Sequence, residues 1–467
     1  MSRPTLALAM IVRNGSAGLA RCLRSALPAV DSIVIGDTGS TDDSIAIARG
    51  LGAQVFELPW EDDFSKARNT VLSQVKTDWV LWMDDDEMLD PGGASWIPAL
   101  LDQNEKAVRP VDAFEVWRWN YVFSLNSRSG GLMAEPNPGR LPDSAPYPAY
   151  TRYLNTLLFR VRPGVYFENP VHETVSKRVL AMELRAAQAP FVIHHFGFVE
   201  GPEKLREDKN DYYYKLGLEK VRNHPEDAWA QYEMGLCELE HRKNPAAALA
   251  CLDLALALDP ENQTARVYAG ICLTRLGRLP DALDGLRHVL AKGACTPLLA
   301  EALGDIYFQM HETKQAAEWY RQVGDLQPAG QIGVSSLVEC KRGACQVRMG
   351  ELAAGMERIQ AAVLREPLAG ELYEIWAAAA LQAGDPAGAC RVAKQRLAVG
   401  KAPASSFVVA AVLQAHMGRW DDALAILLEG QRIYPDDVAL RREVQTARQK
   451  VEALPSGDEA RTQFTHS

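Results

Sequence analysis

Hydrophobic positions change their spacing once along this chain of 467 residues, near residue 200. Before that point, short and nearly continuous apolar runs alternate with segments of helical period. LALAMIV (6–12), SIVIGD (32–37), AQVFELP (53–59) and DWVLWMD (78–84) are rich in Val, Ile, Leu and Trp, the mark of strands buried on both faces. Residues 18–27, 42–51 and 64–75 instead space their apolar side chains three or four apart, as a helix against a core does. Strand, helix, strand repeated in this way predicts an α/β fold around a parallel sheet. Such sheets bind ligands at the carboxyl ends of their strands, and Asp37 and Asp84 fall at two predicted ends.

Beyond about residue 222 the pattern is helical throughout, with a period. Small residues recur at Gly235, Gly270, Gly304, Gly343, Ala377 and Ala411, in steps of 35, 34, 39, 34 and 34. Twelve positions after each stand Ala247, Ala282, Ala316, Gly355, Ala389 and Ala423. Small side chains let paired helices approach closely, and Pro328, Pro367 and Pro435 end the second helix of several pairs. The pattern resembles tetratricopeptide repeats and predicts an all-α superhelix of about six repeats over 225–450. The long step implies an insertion between Pro328 and Gly343. A charged helical linker at 201–224 leads into the array, and residues 451–467 read as a frayed tail.

Composition narrows the class of partner. Apolar residues make up 47% and charged residues 24%, as in a globular protein, and the net charge of −10 argues against nucleic acid or an anionic membrane. No run approaches 18 apolar residues, so no integral membrane segment is predicted. The apolar stretch before Arg13 and Asn14 reads as a first strand and not as a secretion signal. Eight scattered cysteines without a CxxC pair point to a reducing, cytoplasmic setting.

Five segments carry candidate chemistry. GDTGSTDDS (36–44) follows a strand, and a carboxylate at its start, Asp37, can accept hydrogen bonds from a base or ribose, or can stabilise the turn with Ser40. PWEDDFSKARN (59–69) puts Lys66 and Arg68 in the first turns of a helix, where cations oppose the macrodipole unless an anion such as a diphosphate binds. LWMDDDEM (81–88) crowds Asp84, Asp85, Asp86 and Glu87 behind apolar residues, an arrangement a divalent cation relieves. On an extended segment Asp84 and Asp86 share one face, while Asp85 with Glu87 has the same spacing. VYFENPVHETV (165–175) and PFVIHHFGF (190–198) place His172, Glu173, His194 and His195 among aromatic residues.

The stretches AMIVRN, IGDTGSTD, PWEDDFSKARN, WVLWMDDDE, NPVHE and IHHFGF, in this order over residues 5–200, resemble a family 2 glycosyltransferase with the GT-A fold. The likeness is to members with attached tetratricopeptide repeats. It implies a Rossmann-like α/β domain over 1–200 that binds a nucleotide-diphosphate sugar, taken as UDP-linked, with Mn²⁺ or Mg²⁺ at a DxD motif. It implies donor-binding positions at Val12, Asn14, Asp37, Gly39, Arg68, Asp84 and Asp85, and metal ligands at Asp84, Asp86 and His195. It assigns the acceptor's base to Glu173, with His172 behind it, and an inverting displacement. Gly15 departs from the family, which commonly has an acidic residue there.

A concave repeat surface suits a protein or peptide acceptor, with dimerisation of a homo-oligomer or partner docking as the array's other use. Three competing readings are a non-catalytic scaffold, a transferase acting on a saccharide or lipid, and a nucleotidyltransferase. The last lacks the Gly-rich, Lys-bearing first loop such an enzyme uses.

Overall fold

The computed structural model describes every residue except 1–2, 126, 130–131, 201–202, 294, 327–333, 400–401 and 454–467. Pro328, the expected insertion's first half and most of the expected tail therefore lie outside the described residues. The chain divides into two compact units, Met1–Ala294 and Cys295–Ser467.

The first unit opens with four strands close to those expected: β1 (Leu6–Val12), β2 (Ser32–Asp37), β3 (Gln54–Glu57) and β4 (Trp79–Trp82). Helices α1 (Ser16–Ala26), α2 (Ser44–Gly50) and α3 (Phe64–Gln74) connect them. These four strands are mutually parallel in the order β3-β2-β1-β4. Trp79, Val80, Leu81 and Trp82 are buried, as a strand covered on both faces requires.

The sheet then departs from the all-parallel expectation. Next come β5 (Glu87–Leu89), α4 (Pro91–Lys106), β6 (Ala113–Val122), β7 (Arg128–Ser129), β8 (Leu132–Met133), β9 (Glu135–Pro136), β10 (Ala149–Arg160), α5 (Ser176–Ala181) and β11 (Ala186–His195). The long strand β10 runs antiparallel to both β4 and β6, and β11 runs parallel to β6 and antiparallel to β5. These strands mix Arg, Asn, Glu and Thr among apolar residues, so they lack the continuous apolar signature of β1, β2 and β4. The mixed half wraps the sheet past the end of β4, which places β6 and β11 beside the acidic run.

Sheet gives way to helix near residue 200, as the spacing predicts, but this change falls inside the first compact unit. Helix α6 (Glu203–Asn223) docks on the start of α3. The Tyr212 hydroxyl donates to Asp62 Oδ1 at 2.6 Å and accepts from Trp60 Nε1 at 2.7 Å. The rings of Phe64 and Tyr213 stack 5.6 Å apart. Two helical hairpins complete this unit: α7 (Ala228–Glu240) with α8 (Pro245–Leu258), and α9 (Gln263–Arg275) with α10 (Leu279–Ala291).

The second unit holds four more hairpins and a closing helix. These are α11 (Pro297–Gln309) with α12 (Thr313–Asp325), α13 (Ser336–Arg348) with α14 (Leu352–Arg365), α15 (Gly370–Gln382) with α16 (Pro386–Leu397), and α17 (Ala404–His416) with α18 (Trp420–Ile433). Helix α19 (Val438–Glu452) extends into the stretch expected to be frayed.

The periodic small residues lie where hairpin helices meet. A Cβ on Gly235 would come 2.8 Å from Leu252, one on Gly270 2.5 Å from Leu286, and one on Gly304 2.5 Å from Tyr320. In the hairpin of α13 and α14 the backbones themselves meet, since a Cβ on Gly343 would lie 2.7 Å from the Gly355 carbonyl oxygen. Ala282, Ala316, Ala389 and Ala423 are buried at their expected positions, while in the first hairpin Ala248 is buried in place of Ala247.

Backbone cannot shift as a side chain can, so Gly343→Val should cost about 1–3 kcal/mol and lower the melting midpoint of the full chain. Gly285, on α10 with open space around it, supplies the contrast: Gly285→Ala should leave the midpoint unchanged or raise it. Equal midpoints for Gly343→Val and the parent protein would contradict the close approach.

Candidate active site

The acidic run is a turn and not an extended segment. Strand β4 stops at Trp82, residues 83–86 cross to β5, and the Glu87 amide donates to the Asp84 carbonyl at 3.1 Å. Strand alternation therefore does not govern these side chains. The three aspartates fan out to three different neighbours.

Asp84 points at two arginines. Its Oδ1 lies 3.0 Å from Arg68 Nη2, and its Oδ2 lies 3.6 Å from Arg118 Nη2. Burial opposes ionisation of Asp84, but the two guanidiniums outweigh it and hold the carboxyl below its usual range. Arg68 is 7% exposed, so it is not the solvated cation a helix surface usually carries. Its guanidinium lies 4.9 Å from the Trp82 ring and 5.4 Å from the Phe167 ring, and its Nε lies 2.6 Å from Glu173 Oε1. Lys66, expected beside it, is exposed and reaches only Glu61.

Asp85 points the other way. A Cβ on Gly15 would come 2.3 Å from Asp85 Oδ2, and one on Gly18 would come 2.6 Å from the Asp85 carbonyl oxygen. Position 15 is glycine because the Asp85 carboxylate already fills the space where a side chain would begin. The acidic group that the resemblance places at 15 thus has a counterpart reaching in from the next loop.

Asp86 points at His195. Its Oδ1 lies 3.4 Å from His195 Nε2, while His195 Nδ1 pairs with Asn120 Oδ1 at 2.8 Å. An amide oxygen can only accept, so Nδ1 donates and Nε2 is the nitrogen turned to Asp86. Burial disfavours charge on His195, yet the Asp86 carboxylate outweighs it and raises the imidazole's pKa. Gly197 completes this corner, because a Cβ there would sit 2.3 Å from Asp86 Oδ2 and 2.8 Å from His195 Nε2. His194 is a core residue: it is 1% exposed, bonded to the Tyr121 hydroxyl at 2.8 Å, and pushed by burial toward its neutral form.

Another side of the site is built from β1 and β2, whose ends Val12 and Asp37 are register partners. Asp37 Oδ2 accepts from the amides of Gly39 and Ser40 at 3.0 and 2.9 Å, with Gly39 at φ +101° to bring its amide round. Asp37 Oδ1 is buried and has no hydrogen-bond partner among the described residues. Asn14, at φ 53°, staples the two loops: its amide donates to Ser40 Oγ, and its Oδ1 accepts from the Thr41 amide.

Helix α3 also fixes the loop that carries Glu173. Asn69 exchanges hydrogen bonds of 2.8 and 2.9 Å with the Phe167 backbone, and the Phe64 amide donates to the Pro170 carbonyl. His172, with φ 54° in the same loop, is exposed.

The structure thus gathers Asp84, Arg68 and Glu173 in one cluster and Asp86 with His195 in another. Among the described residues no three His, Cys, Asp or Glu side chains stand together as a ready metal cage. A carboxylate and an imidazole nitrogen fit a divalent cation that takes its other ligands from a diphosphate. Asp84, with both oxygens facing arginines, is turned away from that corner. Residues 8–129 match the family model Glycosyl transferase family 2. The match falls in the N-terminal, sheet-forming part of the chain.

The remaining likenesses cover parts of the chain. A TPR repeat-containing protein of Synechococcus elongatus is 33% identical over 238 residues, 49% of this chain and 51% of that protein. An uncharacterized glycosyltransferase of Rickettsia prowazekii is 39% identical over 80 residues, 17% of this chain and 27% of that one. The glycosyltransferase SunS of Bacillus subtilis, derived from prophage SPbeta, is 30% identical over 87 residues, 18% of this chain and 21% of that one. The chain spans about half the length of the first of these relatives and less of the other two. Among the described residues no helix is long and apolar enough to cross a membrane.

Arg118 and Asn120 escaped the reading of the sequence, and Glu87 was named there only as a member of the acidic run. Glu87 is 0% exposed, and its Oε2 accepts from the Asp84 amide at 2.8 Å. Arg118 lies 2.5 Å from the other Glu87 oxygen. Asn120, two residues along β6, shares a face with Arg118 and holds His195. The available signal was WRWN at 117–120, polar side chains inside a strand otherwise fit for a core.

Burial pushes the Glu87 carboxyl up from 4.5 to about 7, with Arg118 opposing. Between those values the folded state binds a proton that the unfolded chain has lost, so stability falls as pH rises from 4.5 toward 7. Glu87→Gln should flatten that fall. Melting midpoints followed across this window in both proteins check it, and equal slopes would contradict it.

Proposed function

We propose that this protein is a metal-dependent, inverting glycosyltransferase that moves a sugar from a nucleotide-diphosphate donor, UDP-linked, to a protein or peptide acceptor. The observation that carries the reading is the single guanidinium, Arg68, placed between Asp84 at the strand end and Glu173. It lies where a leaving diphosphate and an acceptor's proton would have to meet.

In this reading Asp37 binds the nucleoside through Oδ1, and Val12, Asn14 and Gly39 shape the loop around it. Asp85 lies against Gly15 on the same side. Asp86 and His195 would hold the cation, which would supply positive charge to offset that of the diphosphate. Asp84 sets the arginines and faces the ribose. The acceptor's nucleophile attacks the anomeric carbon, the bond to the diphosphate oxygen breaks, and Glu173 takes the nucleophile's proton. In the structure the Glu173 carboxylate is engaged by the Arg68 guanidinium at 2.6 Å. Glu173 therefore acts once the diphosphate has drawn Arg68 toward itself. His172 stands beside it at the exposed end of the loop. The hairpins of the second unit would offer a surface on which an acceptor chain can lie.

Turnover of UDP-sugars with Mn²⁺ by the full-length protein tests the reading. Glu173→Gln should lower kcat about 10²–10⁴-fold while leaving the donor KM within a few fold. Asp86→Ala should abolish metal-dependent turnover. Normal turnover in Glu173→Gln would remove the residue from this role.

A further inference from the structure

Strand β6 is no part of the β1–β4 framework, yet it delivers a second guanidinium to the acidic turn. Arg118 and Arg68 approach Asp84 from different elements and use the same groups to do so. Arg68 directs Nε to Glu173 and Nη2 to Asp84, while Arg118 directs Nε to Glu87 and Nη2 to Asp84. Each fork still carries two N–H groups on Nη1. Two like charges converge here because one carboxylate lies between them, one oxygen toward each.

We propose that Arg118 is a second donor-binding residue, which together with Arg68 grips the diphosphate of the nucleotide sugar. A diphosphate spreads its charge over oxygens on two phosphorus atoms. Two planar forks sharing one carboxylate match that spread, since each has N–H groups on Nη1 to offer a phosphate oxygen. Neither side chain has far to travel, because Arg118 is held in place by Glu87, and Arg68 by its place between Trp82 and Phe167. Asp84 thereby becomes the spacer of the two forks, which accounts for its turning away from the Asp86–His195 corner. The inference rests on the donor reading above.

A competing account gives Arg118 only the task of neutralising buried Glu87. Calorimetric titration of the full chain with inorganic pyrophosphate and with UDP separates the two. Arg118→Gln should weaken both ligands about 10–100-fold, the worth of one charged hydrogen-bonding group. The double variant Arg118→Gln/Glu87→Gln removes both partners of the ion pair and should regain thermal stability. Its affinity for pyrophosphate should stay low. Recovery of wild-type affinity in the double variant would overturn the proposal, as would unchanged affinity in the single variant. If the unaltered protein bound neither ligand, the donor reading itself would fall, and this inference with it.

Discussion

Asp84 leaves the end of a buried strand and meets two guanidiniums, one at each carboxylate oxygen, 3.0 and 3.6 Å away. Two buried arginines this close repel strongly at low dielectric, and each lost its hydration shell to get there. The carboxylate between them offsets both costs, and Glu173 and Glu87 balance the outer edges. Each member comes from a different part of the chain: Asp84 follows β4, Arg68 is on α3, Arg118 on β6, Glu87 on β5, and Glu173 in the loop before α5. Removing Asp84 would leave two cations facing each other with no partner between them. The network therefore ties the position of α3 to that of the loop that carries Glu173.

The turn that carries Asp84 is held by what its neighbours lack. Gly15, Gly18 and Gly197 each leave a gap that the acidic turn fills, and a single Cβ at any of them would come within 2.6 Å of an oxygen. Close packing of backbone and carboxylates sets the three aspartates at different angles. Asp86 meets His195 while Asp84 meets Arg68 and Arg118, so one short run offers its oxygens to different partners.

The parallel half of the sheet was legible because β1, β2 and β4 are apolar on both faces, and the hairpins were legible because Gly235, Gly270 and Gly304 repeat with a helix-pair period. Asp37 stood out as a carboxylate at a strand end and Glu173 as one among aromatic residues, whereas Arg68, Asp86 and His195 were singled out by the resemblance to family 2 glycosyltransferases. The geometry of the acidic run could not be read this way. Alternation holds only along an extended strand, and the chain turns at Asp85. Arg118 stayed hidden, and Glu87 was visible only as one more acid of the run, because their meaning is pairwise: they neutralise each other from positions more than thirty residues apart. Mixed strands such as β6 and β10 likewise take their places from partners, not from a pattern of their own.

In the proposed function, one turn at the end of β4 turns Asp86 to a cation and Asp84 to the arginines that grip a phosphate. Anomalous scattering from crystals of the full chain grown with Mn²⁺ and UDP measures this directly. The account predicts a manganese peak between the Asp86 carboxylate and His195 Nε2, with the diphosphate lying toward Arg68 and Arg118. A manganese ion bound by Asp84, with the phosphates remote from both arginines, would contradict it.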